Sequence, residues 1–135
     1  MNDPILFDTS VWIDFLNKKN TPEANLLEHF IEEDMEVLLT PTVLQEILQG
    51  IRDDYKYLQV KEMLSYFTML DLPPVQAAVG ASDLYRSLRK KGATVRKSND
   101  CLIAFYALEF SCSMVHDDTD FDLISKYFDL KILKL

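Results

Sequence analysis

Long apolar runs are missing from this chain: none approaches the ~18 uncharged apolar residues that a membrane-spanning helix needs. Cysteine is scarce. Cys101 and Cys112 fall in or beside apolar segments, without the spacing of a metal site. They read as buried, reduced thiols in a cytoplasmic protein. Met1-Asn2-Asp3-Pro4 lacks the basic start and apolar stretch of a secretory leader, which adds to the cytoplasmic expectation. Repeats, low-complexity segments and linkers are also missing. Since 48% of the 135 residues are apolar, disorder is excluded and one real core is expected, in a single domain over residues 1–135.

Basic residues are in short supply as well, with fourteen Lys and Arg against twenty-two Asp and Glu and a net charge of −8. Taken alone, that balance argues against nucleic acid as a partner. The distribution argues the other way. Six of the fourteen cations lie between residues 86 and 97: Arg86, Arg89, Lys90, Lys91, Arg96 and Lys97. Such a strip beside acidic residues is compatible with a phosphate ligand held against a bound cation. Its plainer reading is the solvated face of a helix. The net acidity also suits a partner with a basic segment.

Short apolar runs alternate with helical patterns along the whole length, the mark of an α/β sheet with helical crossovers. Ile5-Leu6-Phe7 predicts the first strand, and Thr9-Ser10 are placed to cap a helix through Leu16. Thr21-Pro22 and Thr40-Pro41 each open a helix with a capping Thr and a first-turn Pro. Glu36-Val37-Leu38-Leu39 lies between those two helices as a second strand. Residues 54–67 predict a further helix. Pro73-Pro74 introduces a long one with Ala81, Leu84, Tyr85 and Leu88 on one face and Gly92 at its end. Ser98-Asn99 are placed to cap a helix whose inward stripe is Ile103, Ala104, Ala107 and Leu108. Met114-Val115 is a short strand, Phe121-Ile124-Phe128 marks a short helix, and Lys131-Ile132-Leu133 is the last strand.

Acidic residues stand where these apolar runs stop. Asp8 follows the first strand, where ligands of open parallel sheets bind. It could be a simple N-cap, but Thr9 and Ser10 already offer capping oxygens. Asp100 heads the core-facing stripe of its helix, where an unpaired charge is costly; alternatively it is a first-turn Asp turned outward toward the helix dipole. Glu46 fails the same test. Its helix has the stripe Leu44, Ile47, Leu48 and Ile51, and on the wheel Glu46 reads as solvated. After the Met114-Val115 strand comes His116-Asp117-Asp118-Thr119-Asp120-Phe121-Asp122. Asp118 and Asp120 are its ligand candidates, Asp117 reads as surface charge, and Thr119-x-x-Asp122 fits a capping box. His116 reads as packed or substrate-facing, because no second His stands near it. Carboxylates gathered at the mouth of a sheet repel one another unless a cation neutralises them, and hard cations such as Mg²⁺ take oxygen ligands. That combination points to metal-assisted phosphodiester chemistry.

Phe7-Asp8-Thr9-Ser10-Val11-Trp12-Ile13 resembles the opening of PIN-domain ribonucleases of the VapC toxin type. So do Leu44-Gln45-Glu46-Ile47, Asn99-Asp100-Cys101-Leu102-Ile103-Ala104 and the acidic segment 116–122. Leu84-Tyr85-Arg86-Ser87-Leu88-Arg89-Lys90-Lys91-Gly92 is similar to the stretch before the family's third acid. The resemblance spans nearly the whole chain in the expected order. It implies a PIN-like three-layer α/β/α sandwich with a central parallel sheet. It implies an endoribonuclease using Mg²⁺, or Mn²⁺, that inhibits translation, with transfer RNA as one possible substrate. It further implies a homodimer and a cognate VapB-type antitoxin that inserts a C-terminal segment near the active site. Carried over, Asp8, Glu46, Asp100 and Asp118 are the catalytic acids, and Asp8, Asp100, Asp118 and Asp120 the metal set. Thr9 and Ser10 would support them by hydrogen bonding. For Glu46 the resemblance overrules the wheel. Asp117 and Thr119 depart from the Asn and Arg that relatives often carry, which affects substrate contacts and removes no acid.

The implied reaction is in-line attack of a metal-activated water on phosphorus, leaving 5′-phosphate and 3′-hydroxyl ends. Arg86, Arg89 and Lys90 are placed to hold the RNA backbone. Two rivals remain: a catalytically silent PIN-like protein-binding module, and a phospho-aspartate phosphatase. The second typically wants an Asp two residues after Asp8, where this chain has Ser10.

Overall fold

The computed structural model describes residues 4–135; Met1, Asn2 and Asp3, which carry most of the reading of the N-terminus, lie outside them. Among these residues the chain runs β1 (Ile5–Phe7), α1 (Thr9–Leu16), α2 (Pro22–Glu32), β2 (Leu38–Leu39), α3 (Pro41–Gln49) and α4 (Asp54–Leu64). It continues through β3 (Thr68–Met69), α5 (Pro74–Lys90), α6 (Ser98–Glu109), β4 (Ser113–Val115), α7 (Thr119–Ser125) and β5 (Lys131–Ile132). The sheet has the order β3-β2-β1-β4-β5, with every neighbouring pair parallel. Leu6 and Phe7 point to opposite faces of β1, as do Met114 and Val115 in β4, yet all four are fully buried. Helices therefore cover both faces, and the architecture is the expected α/β/α sandwich.

The helix starts follow the capping logic with two corrections. Thr21 and Thr40 accept the N–H groups of Ala24 and Val43, each at 3.1 Å, ahead of Pro22 and Pro41. Asp8, rather than Thr9 or Ser10, caps α1, its side chain accepting the Ser10 N–H at 3.1 Å. Ser98 and Asn99 lie inside α6 rather than capping it. The Lys97 N–H at that start is taken by Asp120, reaching across from α7. At α1 the Thr9 and Ser10 hydroxyls are spent on Glu46, on Asp8 and on the Asp117 N–H, and at α6 a carboxylate from α7 takes the Lys97 N–H.

The helix expected over 54–67 stops at Leu64, because residues 68–69 pair with β2 instead. Thr68 N–H donates to Val37 O and Leu70 N–H to Leu39 O. This edge strand was not anticipated: its two residues are exposed and too few to show alternation. Gly92 ends α5 as expected, at φ +82°. A different glycine fixes how α5 meets α6. A Cβ on Gly80 would lie 2.2 Å from Phe105 Cζ, so the Phe105 ring of α6 seats against α5 at a position that has no side chain.

The order β3-β2-β1-β4-β5 reverses direction between β1 and β4, since the chain leaves β1 to one side and returns for β4 on the other. That is the topological switch point of an open parallel sheet, where a crevice forms beyond the strand ends. Asp8 N–H donates to Val115 O at 2.9 Å and ties the two ends together. The acids after β1 and β4 thereby face one crevice.

Candidate active site

Three carboxylates converge at this crevice: oxygens of Asp100, Asp118 and Asp120 all lie within 4.8 Å of one another. Asp100 comes from the first turn of α6, Asp118 from the loop after β4, and Asp120 from the start of α7. Asp100 and Asp120 are buried, and the Asp118 side chain is only 4% exposed. Asp100 Oδ2 has no hydrogen-bond partner among the described residues. Burial first, then repulsion from Asp8 and Asp118, pushes the Asp100 carboxyl up to about 8. A hydrogen bond to the Asp120 side chain acts in the same direction, as expected when two carboxyls share a proton. A site that raises a carboxyl this far and leaves its oxygen unpartnered is short of positive charge at Asp100. An oxygen-preferring divalent cation fits that donor set.

Two further acids border the three. Asp8 is buried, which raises its carboxyl; hydrogen bonds from Ser10 pull it back, and repulsion from Glu46 adds to the rise. Ser10 Oγ–H donates to Asp8 Oδ2 at 2.7 Å and accepts the Asp117 N–H at 3.0 Å. One hydroxyl thus links the β1 acid to the β4 loop. Thr9 Oγ1 donates to Glu46 Oε1 at 2.7 Å. Glu46 is half-buried, which corrects the solvated reading. Fully buried Val43 and buried Thr42 lie on either side of it on the α3 wheel, whereas Leu44 and Leu48, which dominated the sequence stripe, are only half-buried.

Positive charge does reach the cluster, on one side. Lys97 Nζ lies 2.6 Å from Asp118 Oδ2. Arg96 stands 3.5 Å from Asp120 and 3.8 Å from Asp118. Burial pulls Asp118 up, but the Asp120 N–H and the Lys97 ammonium outweigh it and hold the carboxyl below its ordinary range. The Lys97 ammonium is raised in turn, chiefly by its bond to Asp118. The basic strip therefore splits. Arg96 and Lys97 sit on the acids, while Arg86, Arg89 and Lys90 are exposed on the last turns of α5 and make no ion pair with them among the described residues. Arg89 stacks over the Tyr85 ring at 5.7 Å.

His116 is packed, as one of its two readings had it, against Phe121. Its Nδ1 accepts the Asp118 N–H at 3.0 Å, so the proton sits on Nε2 and is donated to Asp122 at 3.1 Å. Asp122 also holds Lys134, at 2.6 Å. The capping box expected for Thr119 and Asp122 does not form. Asp118 caps α7, and Asp122 is committed to His116 and Lys134. Sequence reasoning missed the direct contacts of Arg96, Lys97 and Lys134. The first two carried a signal, standing four and three residues ahead of Asp100, beside the start of its helix.

The family model of the PIN domain matches residues 5–127. A VapC ribonuclease of Mycobacterium bovis, Mb1587, is 30% identical over 128 residues, covering 94% of this chain and 96% of its own. Ribonuclease VapC11 of Mycobacterium tuberculosis matches to the same extent. Among solved structures, VapBC2 from Rickettsia felis bound to a promoter DNA fragment superposes with a TM-score of 0.73 at 18% identity, over 96% of both chains. VapBC-5 from M. tuberculosis gives 0.69 at 21% identity, over 98% of this chain and 99% of that one. With the acids collected at the switch point of this fold and the family model matched from β1 through α7, the chain belongs to the PIN-domain family, in its VapC branch.

Proposed function

We propose that this protein is a metal-dependent endoribonuclease, the toxin of a type II toxin-antitoxin pair acting in the cytoplasm to block translation. The observation that carries the reading is the convergence of Asp100, Asp118 and Asp120 around a buried, unpartnered Asp100 oxygen. These three would hold Mg²⁺ or Mn²⁺, with Asp8 as a fourth ligand and Glu46 beside it. When bound, the metal supplies Lewis acidity and lowers the pKa of a water nucleophile. The chain's own residues do the rest. Ser10 and Thr9 fix the oxygens of Asp8 and Glu46. To serve as a ligand Asp100 would have to be ionised, its proton passing to solvent. Arg86, Arg89 and Lys90 hold backbone phosphates outside the crevice. Relatives of the chain are named ribonucleases, which supports RNA as the substrate.

A VapB-type antitoxin is the proposed partner, consistent with the toxin-antitoxin complexes among the structural neighbours. A groove of about 360 Å³ between α1, α3 and the start of α4 supports a protein ligand. It is lined by Ile13, Leu16, Ile47 and Ile51, with Arg52, Asp53 and Lys56 also on its wall. The phosphatase reading loses ground here, because Ser10 stands where the acid would be and donates to Asp8.

The test is cleavage of a defined RNA by purified protein in Mg²⁺ or Mn²⁺ and in EDTA, with mapping of the new ends. Cleavage only with metal, leaving 5′-phosphates, and lost in Asp8→Asn and Asp118→Asn, is expected. Cleavage that persists in EDTA or in both variants would overturn the site.

A further inference from the structure

Lys97 is unlike the other cations of the strip. It is anchored twice: its backbone N–H donates to Asp120 Oδ2 at 3.2 Å, and its ammonium lies 2.6 Å from Asp118 Oδ2. The carboxylate it meets is nearly buried, whereas its own side chain is 61% exposed. The ammonium thus sits at the mouth of the crevice, on a carboxylate assigned above to the metal. Asp118 Oδ1 is already committed to the Asp120 N–H at 3.0 Å, so Oδ2 is the oxygen freer to change partners. Arg96, at 3.5 and 3.8 Å, is a looser neighbour.

We infer that Lys97 is a tethered counter-ion for the acid cluster, which yields Asp118 to the divalent metal and then meets the scissile phosphate of the RNA. The inference rests on the metal-site reading above. Its physical basis is exchange of like for like. Two cations cannot share one carboxylate oxygen without strong repulsion, so metal entry moves the ammonium off Oδ2. Backbone anchoring at residue 97 keeps the long side chain beside the crevice, and its exposure leaves the ammonium able to meet an anion arriving from solvent. The displaced ammonium then finds a new anion there. Lys97 both weakens metal binding in the resting protein and contributes to substrate binding in the loaded one.

The experiment measures Mn²⁺ affinity by calorimetry or EPR, and cleavage of a short RNA at saturating Mn²⁺, for the wild type, Lys97→Met and Lys61→Gln. The last removes the same charge from α4. Lys97→Met is expected to bind Mn²⁺ roughly tenfold tighter, the size of one charge-assisted hydrogen bond. Its KM for RNA should rise several-fold, and Lys61→Gln should match the wild type in Mn²⁺ affinity. Unchanged or weaker Mn²⁺ binding in Lys97→Met, or equal tightening in Lys61→Gln, overturns the exchange. An unchanged KM overturns the phosphate contact. If the wild type binds Mn²⁺ and cleaves while Lys97→Met shows neither effect, only this inference fails. A wild type that binds no Mn²⁺ removes both the inference and the site reading.

Discussion

Asp100→Asn should stabilise the metal-free protein, and by an amount that grows with pH. The folded chain holds the Asp100 proton up to about pH 8, whereas the unfolded chain releases it near 3.8. Between those values the unfolded state binds fewer protons, so stability falls as pH rises through the window. At about 1.4 kcal/mol per pH unit above 3.8, the ceiling on that loss at pH 7 is about 4 kcal/mol. Asn has the same shape and no charge, and it can still donate to Asp120, so it escapes the loss. In a domain of this size each kcal/mol moves Tm by roughly 4 °C, giving a gap of up to roughly 15 °C. Thermal unfolding of both proteins in EDTA at pH 5 and pH 7.5 reads this directly. The variant should gain at most about 2 kcal/mol at pH 5 and markedly more at pH 7.5. Saturating Mg²⁺ should narrow the gap, because ligand binding stabilises the wild type preferentially. Equal midpoints at pH 7.5, or a gap larger at pH 5, would refute the reasoning.

Glu46→Gln keeps an oxygen for the Thr9 hydroxyl, so Tm should stay within the equivalent of about 0.5 kcal/mol while cleavage is lost; an active variant would show that the other acids suffice. Arg86→Ala combined with Arg89→Ala should weaken RNA binding and reduce the salt slope by roughly 0.7 per lost phosphate contact, leaving Mn²⁺ affinity unchanged; an unaltered slope would make the α5 cations a solvated face. Gly80→Ala sets a helix-propensity gain of about 1 kcal/mol against a Cβ placed 2.2 Å from Phe105 Cζ. The clash should win by about 1–2 kcal/mol, and Phe105→Leu should relieve it in a double-mutant cycle; additive effects would refute the contact.

Much of the fold was legible because its determinants are local. The Thr-Pro starts of α2 and α3 need only a hydroxyl, a fixed φ and the following N–H, all within four residues. The stop at Gly92 needs only one residue able to take φ +82°. What escaped depends on partners distant in sequence. Residues 68–69 become a strand because β2 offers its edge, and nothing in Thr68-Met69 signals that. Ser98 and Asn99 look like caps, but the start of α6 is already served by Asp120 from α7. The capping box at Thr119 fails for the same reason, since His116 and Lys134 have a prior hold on Asp122.

The acids follow the same division. Asp8, Asp100 and Asp118 announce themselves because each interrupts or heads an apolar run, so their cost is visible one residue at a time. Glu46 is different. A helical wheel weighs apolar side chains equally, yet Leu44 and Leu48 lie only half-buried, while Val43 on the other side is fully enclosed. The true inward direction of α3 is rotated from the apparent one, toward α1 and its Thr9. Only the resemblance to other chains carried that information, because it records where the helix sits rather than what it contains. Lys97 was legible only in part: its charge and its nearness to Asp100 in sequence were visible, but its place on Asp118 follows from a loop that lays the α6 start against the α7 start. In a protein of net charge −8, the position of a few cations against the buried acids decides how strongly the site demands a metal, and composition alone does not encode position.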